Sequence, residues 1–218
     1  MLKRVLTVAV GLPIVVLFVT LGGLPLVGLC TAIALFGLKE LYHALSDGHK
    51  EIHLLGYGFT FVYFAVIHLM GFGQEALFVL TFFIVFAQGA MVLFFKKLQL
   101  VDVVKVTYGF LYIPFLTGFI VLLRGEHLGH LYVWLIFTAA FGCDTFAYLT
   151  GTAIGKHKLT GTPSPSKTVE GLAGGVFGAA LVGSLYGLFV VFTTDQSHAF
   201  IFHYPLEKWS GSTNTAKN

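Results

Sequence analysis

The sequence predicts an all-α, polytopic helical membrane protein with about seven transmembrane helices, and three observations predict it. The 218 residues are 56% hydrophobic and only 11% Asp, Glu, Lys or Arg, where soluble domains carry about 25% charged residues. With 23 Phe, 26 Gly and a mean hydropathy of +0.86, too little polar surface remains to cover a water-soluble globule. The same figures exclude intrinsic disorder and a secreted disulfide scaffold. Finally, a spanning helix needs about 20 mostly apolar residues, and stretches of that kind recur over 5–22, 24–42, 54–72, 76–95, 107–123, 131–151 and 171–192.

The first stretch follows Lys3 and Arg4 and superficially resembles a signal peptide. No small-x-small cleavage site follows it and apolar segments continue to residue 192, so it is expected to be a retained first helix. Between the first and second stretches, Gly22, Gly23 and Pro25 mark either a hairpin or a broken helix. The third and fourth are rich in phenylalanine (Phe59, Phe61, Phe64, Phe82, Phe83, Phe86, Phe94 and Phe95), read as lipid-facing and core bulk. Tyr108, Tyr112, Tyr132 and Trp134 fall near expected span ends, where amphipathic rings favour the interface. In the last stretch Gly171, Gly174, Gly175 and Gly178 give overlapping small-residue spacings that let helices approach closely in lipid. Cys30 and Cys143 form no C-x-x-C pair and read as small buried hydrophobes. Residues 1–192 thus form one transmembrane domain with a loop at 152–170, and 193–218 a polar tail.

Charge tests the topology. With the N-terminus in the cytoplasm, Lys3, Arg4, Lys39, Lys50, Lys96, Lys97, Lys105, Lys156, Lys158 and Lys167 lie inside, and only Arg124, Lys208 and Lys217 outside. Ten against three is the bias expected of loops that stay in the cytoplasm. The 152–170 loop is then cytoplasmic, in a multi-pass integral membrane protein. No dense basic stripe is present, so nucleic acid is not an expected partner.

The chemistry-bearing stretch is Gly142–Gly175. It begins with Asp144 inside an otherwise apolar helix. A carboxylate there costs a few kcal/mol on insertion scales and should face a wet cavity or a partner, or else hydrogen-bond to a neighbouring helix. Gly151 and Gly155 loosen the end of that helix before Lys156 and Lys158. Then follow Thr162, Pro163, Ser164, Pro165, Ser166, Lys167 and Thr168. Ser164 suits a helix N-cap with Pro165 at the first helical position. Ser166, Lys167 and Thr168 would then lie in a first turn whose free N–H groups offer an anion site. Against this stands the plainer reading of an ordinary cap with inside positive charge. Gly151-x-x-x-Gly155-Lys156-His157 is one residue short of a Walker A loop and has His where a hydroxyl should ligate magnesium. The pairs His127 with His130 and His49 with His53 lack an H-E-x-x-H context and read as surface histidines.

This stretch resembles the phosphatidate cytidylyltransferases, or CDP-diacylglycerol synthases. Their pattern runs G-x-D-x-x-A-Y, then G-x-x-x-G-K-x-K-L, then S-P-x-K-T-x-E-G. It is matched by Gly142, Asp144, Ala147 and Tyr148; by Gly151, Gly155, Lys156, Lys158 and Leu159; and by Ser164, Pro165, Lys167, Thr168, Glu170 and Gly171. The opening MLKRVLTVAVGLPIVV, the Lys39–Tyr42 region and Tyr108–Arg124 are similar less specifically, so that the resemblance covers about residues 1–192. Val169 stands where the family usually has Trp. The family's C-terminal signature (S-x-x-K-R, K-D, P-G-H-G-G and D-R-x-D), whose acidic residues are the expected metal-binding and catalytic ones, is nowhere in these residues.

The resemblance implies the reaction of CTP with phosphatidate to give CDP-diacylglycerol and pyrophosphate, in phospholipid biosynthesis, with Mg²⁺ as cofactor. It implies catalytic roles for Asp144, Lys167 and Glu170, and substrate binding by Lys156, Lys158, Ser164, Ser166 and Thr168, with metal ligands unassigned. CTP, phosphatidate and the lipid bilayer are the expected partners, with homo-oligomerisation left open. Without the acidic cluster, activity of this chain alone is expected to be impaired. The alternatives are a non-catalytic membrane partner or truncated paralogue and, less well matched to the loop motif, a transporter with Asp144 in its pathway.

Overall fold

Helix follows helix along the chain because almost every long segment is apolar and, in lipid, only an intra-segment hydrogen-bond ladder satisfies the backbone. The computed structural model describes residues 2–45, 50–71, 73–158 and 167–194, the side chains of 2–10, 50 and 51 excepted. The helices are α1 (Leu2–Leu21), α2 (Gly23–Leu45), α3 (Lys50–Met70), α4 (Gln74–Leu93), α5 (Leu100–Phe110), α6 (Leu116–Gly125), α7 (Gly129–Ile154) and α8 (Val169–Thr193). A π-helical turn, Leu111–Phe115, joins α5 to α6, so that 100–125 is one rod. Among the described residues, six segments are long and apolar enough to cross a membrane, and α1 precedes them. The protein is a polytopic helical membrane protein, as expected.

Boundaries differ at instructive places. The fifth rod begins at Leu100, seven residues before the expected 107. A capping box starts it: the Gln99 amide donates to Asp102 Oδ2 at 2.9 Å, and the Gln99 side chain accepts from the amide of Asp102. Two orphan donors are thereby satisfied at once. Tyr108 and Tyr112 are consequently inside the rod rather than at a span end. They are exposed and stack on each other at 5.4 Å. At the first joint the helices break outright. Gly22 and Gly23 have φ of +65° and +53°, a left-handed conformation that costs other L-residues about 1–2 kcal/mol.

The chain divides into two compact units, Met1–Ile136 and Phe137–Asn218, with the division inside α7. The first is organised around Tyr42, Tyr63, Phe64, Phe83 and Phe110, all fully buried. Tyr42 fits because Gly56 and Gly109 face its ring; a Cβ on either would collide with it. Its hydroxyl donates to the Val106 carbonyl at 3.0 Å. Tyr63 sits against Gly118 and donates to the Phe115 carbonyl at 3.3 Å. The second acceptor is the last residue of the π turn, where Pro114 brings no N–H to the ladder, and the first lies five residues before that turn. Buried phenols thus find the partners they need, Tyr63 beside the irregular backbone. Of the phenylalanines read as bulk, Phe64 and Phe83 are core, and Phe61, Phe82, Phe86, Phe94 and Phe95 are exposed, as a lipid-facing surface requires.

The second unit is built from the Phe137–Ile154 part of α7 and from α8. Four glycines of α8 (Gly171, Gly174, Gly175 and Gly178) are buried against α7. A Cβ on Gly175 would stand 3.1 Å from Ala147 Cβ, and one on Gly178 would meet Phe146. From the other side, a Cβ on Gly142 would lie 2.9 Å from the Gly178 carbonyl. The small-residue spacing serves helix packing, as its pattern suggests. Residues 195–218, including most of the expected tail, lie outside the described residues.

Candidate functional site

α7 carries Asp144, Tyr148 and Thr152 at i, i+4 and i+8, which puts them on one face of the helix. That face borders a cleft of about 460 Å³ beside the α7–α8 seam. Ala147, Gly151, Gly171 and Gly175 form its floor, Cys143 and Leu172 line it further, and Lys167 and Thr168 contribute from the segment before α8. The close approach of the glycines is what brings Lys167 and Asp144 to a common cavity. Asp144 is exposed rather than sealed in the seam, so of the two readings of this carboxylate the cavity is the one that fits. Cys143 is half-buried and lines the same cavity, in contrast to the buried Cys30.

The two ends of the motif loop are pinned to each other. Lys158 and Thr168 form an isolated antiparallel bridge, and the Val169 amide donates to the His157 carbonyl at 2.9 Å. Glu170 closes the neck. Its Oε1 lies 2.6 Å from His157 Nδ1, and both oxygens lie 3.2 Å from the His157 amide. A carboxylate only accepts, so Nδ1 carries the proton. Glu170 stands one residue before the apolar stretch 171–192.

The start of α8 differs from the expected one. The N-cap is Thr168, whose Oγ1 accepts from the Gly171 amide at 3.1 Å, and the helix begins at Val169. Lys167 and Thr168 therefore precede the helix instead of forming its first turn. Ser164, Pro165 and Ser166 lie outside the described residues. Nor are the first amides bare. Val169 donates to His157, Gly171 to the Thr168 hydroxyl and Leu172 to the Thr168 carbonyl. Charge at this site comes from lysine side chains, not from free helix-end amides. A Cβ on Gly155 would stand 2.7 Å from Thr168 Oγ1, so the cap also requires a glycine there.

Of the expected site residues, Asp144, Lys167 and Thr168 meet in the cleft. Lys156 and Lys158 are exposed on the loop neck and do not line it, and Glu170 faces His157 instead. Tyr148, Thr152 and His157 were not expected as site residues. The i+4 and i+8 spacing from Asp144 signals the first two; nothing local signals His157. Among the described residues no group of three His, Cys, Asp or Glu side chains is placed to hold a metal ion. Asp144 is the one carboxylate lining the cleft, and Mg²⁺ is usually held by one or two carboxylates together with substrate phosphates and water, so Asp144 is the residue here that fits that ion.

Comparison with known proteins gives a consistent result. The model of the cytidylyltransferase family matches residues 2–206. A phosphatidate cytidylyltransferase of Staphylococcus saprophyticus is 39% identical over 75 residues, 34% of this chain and 29% of that protein. One from Staphylococcus epidermidis is 37% identical over 73 residues, 34% and 28% of the two chains. Another, from Staphylococcus aureus, is 37% identical over 78 residues, 36% and 30% of the two chains. Each match spans less than a third of the relative's length.

Proposed function

This chain belongs to the cytidylyltransferase family, and from that premise we propose that it acts as a CTP-dependent phosphatidate cytidylyltransferase. The reaction joins CTP and phosphatidate into CDP-diacylglycerol with release of pyrophosphate. The observation that carries the reading is that Asp144, Lys167 and Thr168 line one cleft, which runs from inside α7 to the start of α8. A nucleotide must come from water and a phosphatidate from the bilayer, and that is where both reach.

In this reading a phosphatidate oxygen attacks the α-phosphorus of CTP and the bond to the β-phosphate oxygen breaks, releasing pyrophosphate. Positioning and charge neutralisation supply most of the catalysis in phosphoryl-type transfers. Lys167 is the cation within the cleft and neutralises phosphate charge there. Lys156 and Lys158, exposed on the pinned neck, draw the triphosphate towards it. Thr168 holds the end of α8 and presents its hydroxyl to the cleft. Glu170 is a positioning residue that acts through His157. Asp144 would hold Mg²⁺, which supplies Lewis-acid stabilisation of phosphate oxygens when bound. The N-terminus and the 155–168 loop face the cytoplasm of a bacterial inner membrane, in keeping with the ten-to-three charge bias.

The test is CTP-dependent conversion of radiolabelled phosphatidate by the purified chain in mixed micelles. Turnover slower than that of a full-length phosphatidate cytidylyltransferase, and lost in Lys167→Ala and Asp144→Asn, is the expected result. Absence of both turnover and CTP binding, with an intact cytidylyltransferase co-purifying, would replace it with a non-catalytic partner role. Solute flux in proteoliposomes that Asp144→Asn abolishes would replace it with transport.

A further inference from the structure

The first unit holds a feature that the cleft does not use. An apolar groove of about 540 Å³ opens between the first turns of α3 and the last turns of α4. Ile52 and Leu55 form one wall and Phe86, Gly89 and Ala90 the other, with Phe94 closing the end. From Phe86 to Leu93 it follows α4 for roughly 10 Å at 1.5 Å per residue.

Gly89 explains why the groove is open, and it differs from the packing glycines. A Cβ on Gly56, Gly109 or Gly174 collides with a neighbouring helix, whereas one on Gly89 meets nothing within 4 Å. Gly89 therefore makes room within the protein that the protein itself does not fill. The mouth is charged. The chain leaves α4 through Phe94 and re-enters the groove lining at Leu98, with Lys96 and Lys97 between them, both exposed. Neither lysine is in an ion pair among the described residues. The nearby Asp102 carboxylate is turned back onto the Gln99 amide.

An apolar slot flanked by two exposed lysines, neither in an ion pair among the described residues, is complementary to an amphiphile with an anionic head. We propose that this groove binds an anionic glycerophospholipid at a site separate from the nucleotide cleft, with one acyl chain along Gly89 and Ala90 and its phosphate on Lys96 and Lys97. A second copy of this chain is the poorer occupant, because symmetric packing of this face would set two lysine pairs against each other. Basic positions at the end of an apolar inter-helix pocket are a recognised form of lipid headgroup recognition.

Native mass spectrometry of the detergent-purified chain reads this out, with dioleoyl phosphatidylglycerol and dioleoyl phosphatidylcholine as probes. The phosphatidylglycerol adduct should be favoured roughly thirtyfold, as expected for two lysines near a headgroup. Lys96→Gln with Lys97→Gln should abolish that preference. Gly89→Leu and Gly89→Phe should remove the adduct with unfolding temperature unchanged, since the added side chain enters open space. The adduct should survive Lys167→Ala, which separates this site from the cleft and keeps its fate independent of the proposed reaction. Equal retention of the two lipids, or an undiminished adduct in both Gly89 variants, would overturn the proposal. So would a dimer that Gly89→Phe dissociates.

Discussion

Glu170 grips His157 twice, Oε1 lying 2.6 Å from the imidazole Nδ1 while both carboxylate oxygens reach the His157 amide at 3.2 Å. The two residues are thirteen apart in the chain, on either side of the motif loop. This contact, with the Lys158–Thr168 bridge, sets where Lys156, Lys158 and Lys167 begin and end the loop. The His157 amide should therefore be protected in hydrogen exchange, corrected for intrinsic rate, by this carboxylate. Glu170→Gln should show reduced protection at neutral pH. If Glu170 acts on substrate only through the loop, the same variant raises KM for CTP several-fold and leaves kcat nearly unchanged.

The α7–α8 seam makes a sharper demand. On Gly174 a Cβ would stand 2.6 Å from Thr150 Cβ, while on Gly187, further along the same helix, it would meet nothing within 4 Å. Overpacking of a tight interface costs typically 1–3 kcal/mol, and alanine otherwise favours a helix over glycine by up to about 1 kcal/mol. Gly174→Ala should lower the unfolding temperature in detergent and widen the cleft, with loss of turnover. Gly187→Ala should leave both unchanged or raise stability slightly. Equal behaviour of the two variants would mean that the glycines do not set the helix separation.

Tyr148 separates catalysis from folding more cleanly than Asp144 does. Its ring is 70% exposed and lines the cleft, so removing its hydroxyl leaves no buried group unsatisfied. Tyr148→Phe should reduce CTP-dependent turnover about tenfold, the loss expected for one hydrogen bond to a charged group, with an unchanged unfolding temperature. Thr152 differs in that its Oγ1 donates back to the Tyr148 carbonyl at 2.8 Å. Its oxygen keeps lone pairs to offer a ligand in the cleft, and Thr152→Ala should lower turnover less than Tyr148→Phe does. The measurement is turnover against CTP concentration for the two variants.

Much of this architecture is legible in the residue order because lipid leaves the backbone few options. Apolar length marks the seven rods, Gly171-to-Gly178 spacing marks a close helix contact, and a lone carboxylate at Asp144 marks a cavity. What escapes notice depends on side chains reaching the backbone. The Gln99–Asp102 box starts α5 before the hydrophobic run does, and Thr168 caps α8 although Ser164-Pro165 carries the more familiar start signal. The His157–Glu170 contact has no local signature at all, because it exists only once the loop has folded back. Tyr42 and Tyr63 look like ordinary aromatics in the sequence; only the glycines that face them in space show them as the fixed points of the first unit.

Arg124 stands on the sparse side of the charge count, and the structure gives it a task there. Helix ends leave their last carbonyls without partners. At the end of α1 the Phe18 carbonyl accepts from the Gly22 amide at 3.0 Å, and Arg124 takes the next two, donating from Nε to Val19 and from Nη2 to Thr20, each at 3.0 Å. The cation also complements the negative end of the α1 dipole. Gly22 is needed for the guanidinium to approach, since a Cβ there would lie 3.0 Å from Arg124 Cζ, and for its φ of +65°. Lysine lacks the planar fork that serves two adjacent carbonyls. Arg124→Lys should therefore cost about 1–2 kcal/mol, within the range for hydrogen bonds to a charged group, and Gly22→Ala a similar amount from left-handed strain and displacement of the guanidinium. Because both changes disrupt one contact, the double variant should be less destabilised than the sum of the singles. Additive losses in thermal or denaturant unfolding would show that Gly22 and Arg124 act separately, and that the α1–α2 break holds its shape without the arginine.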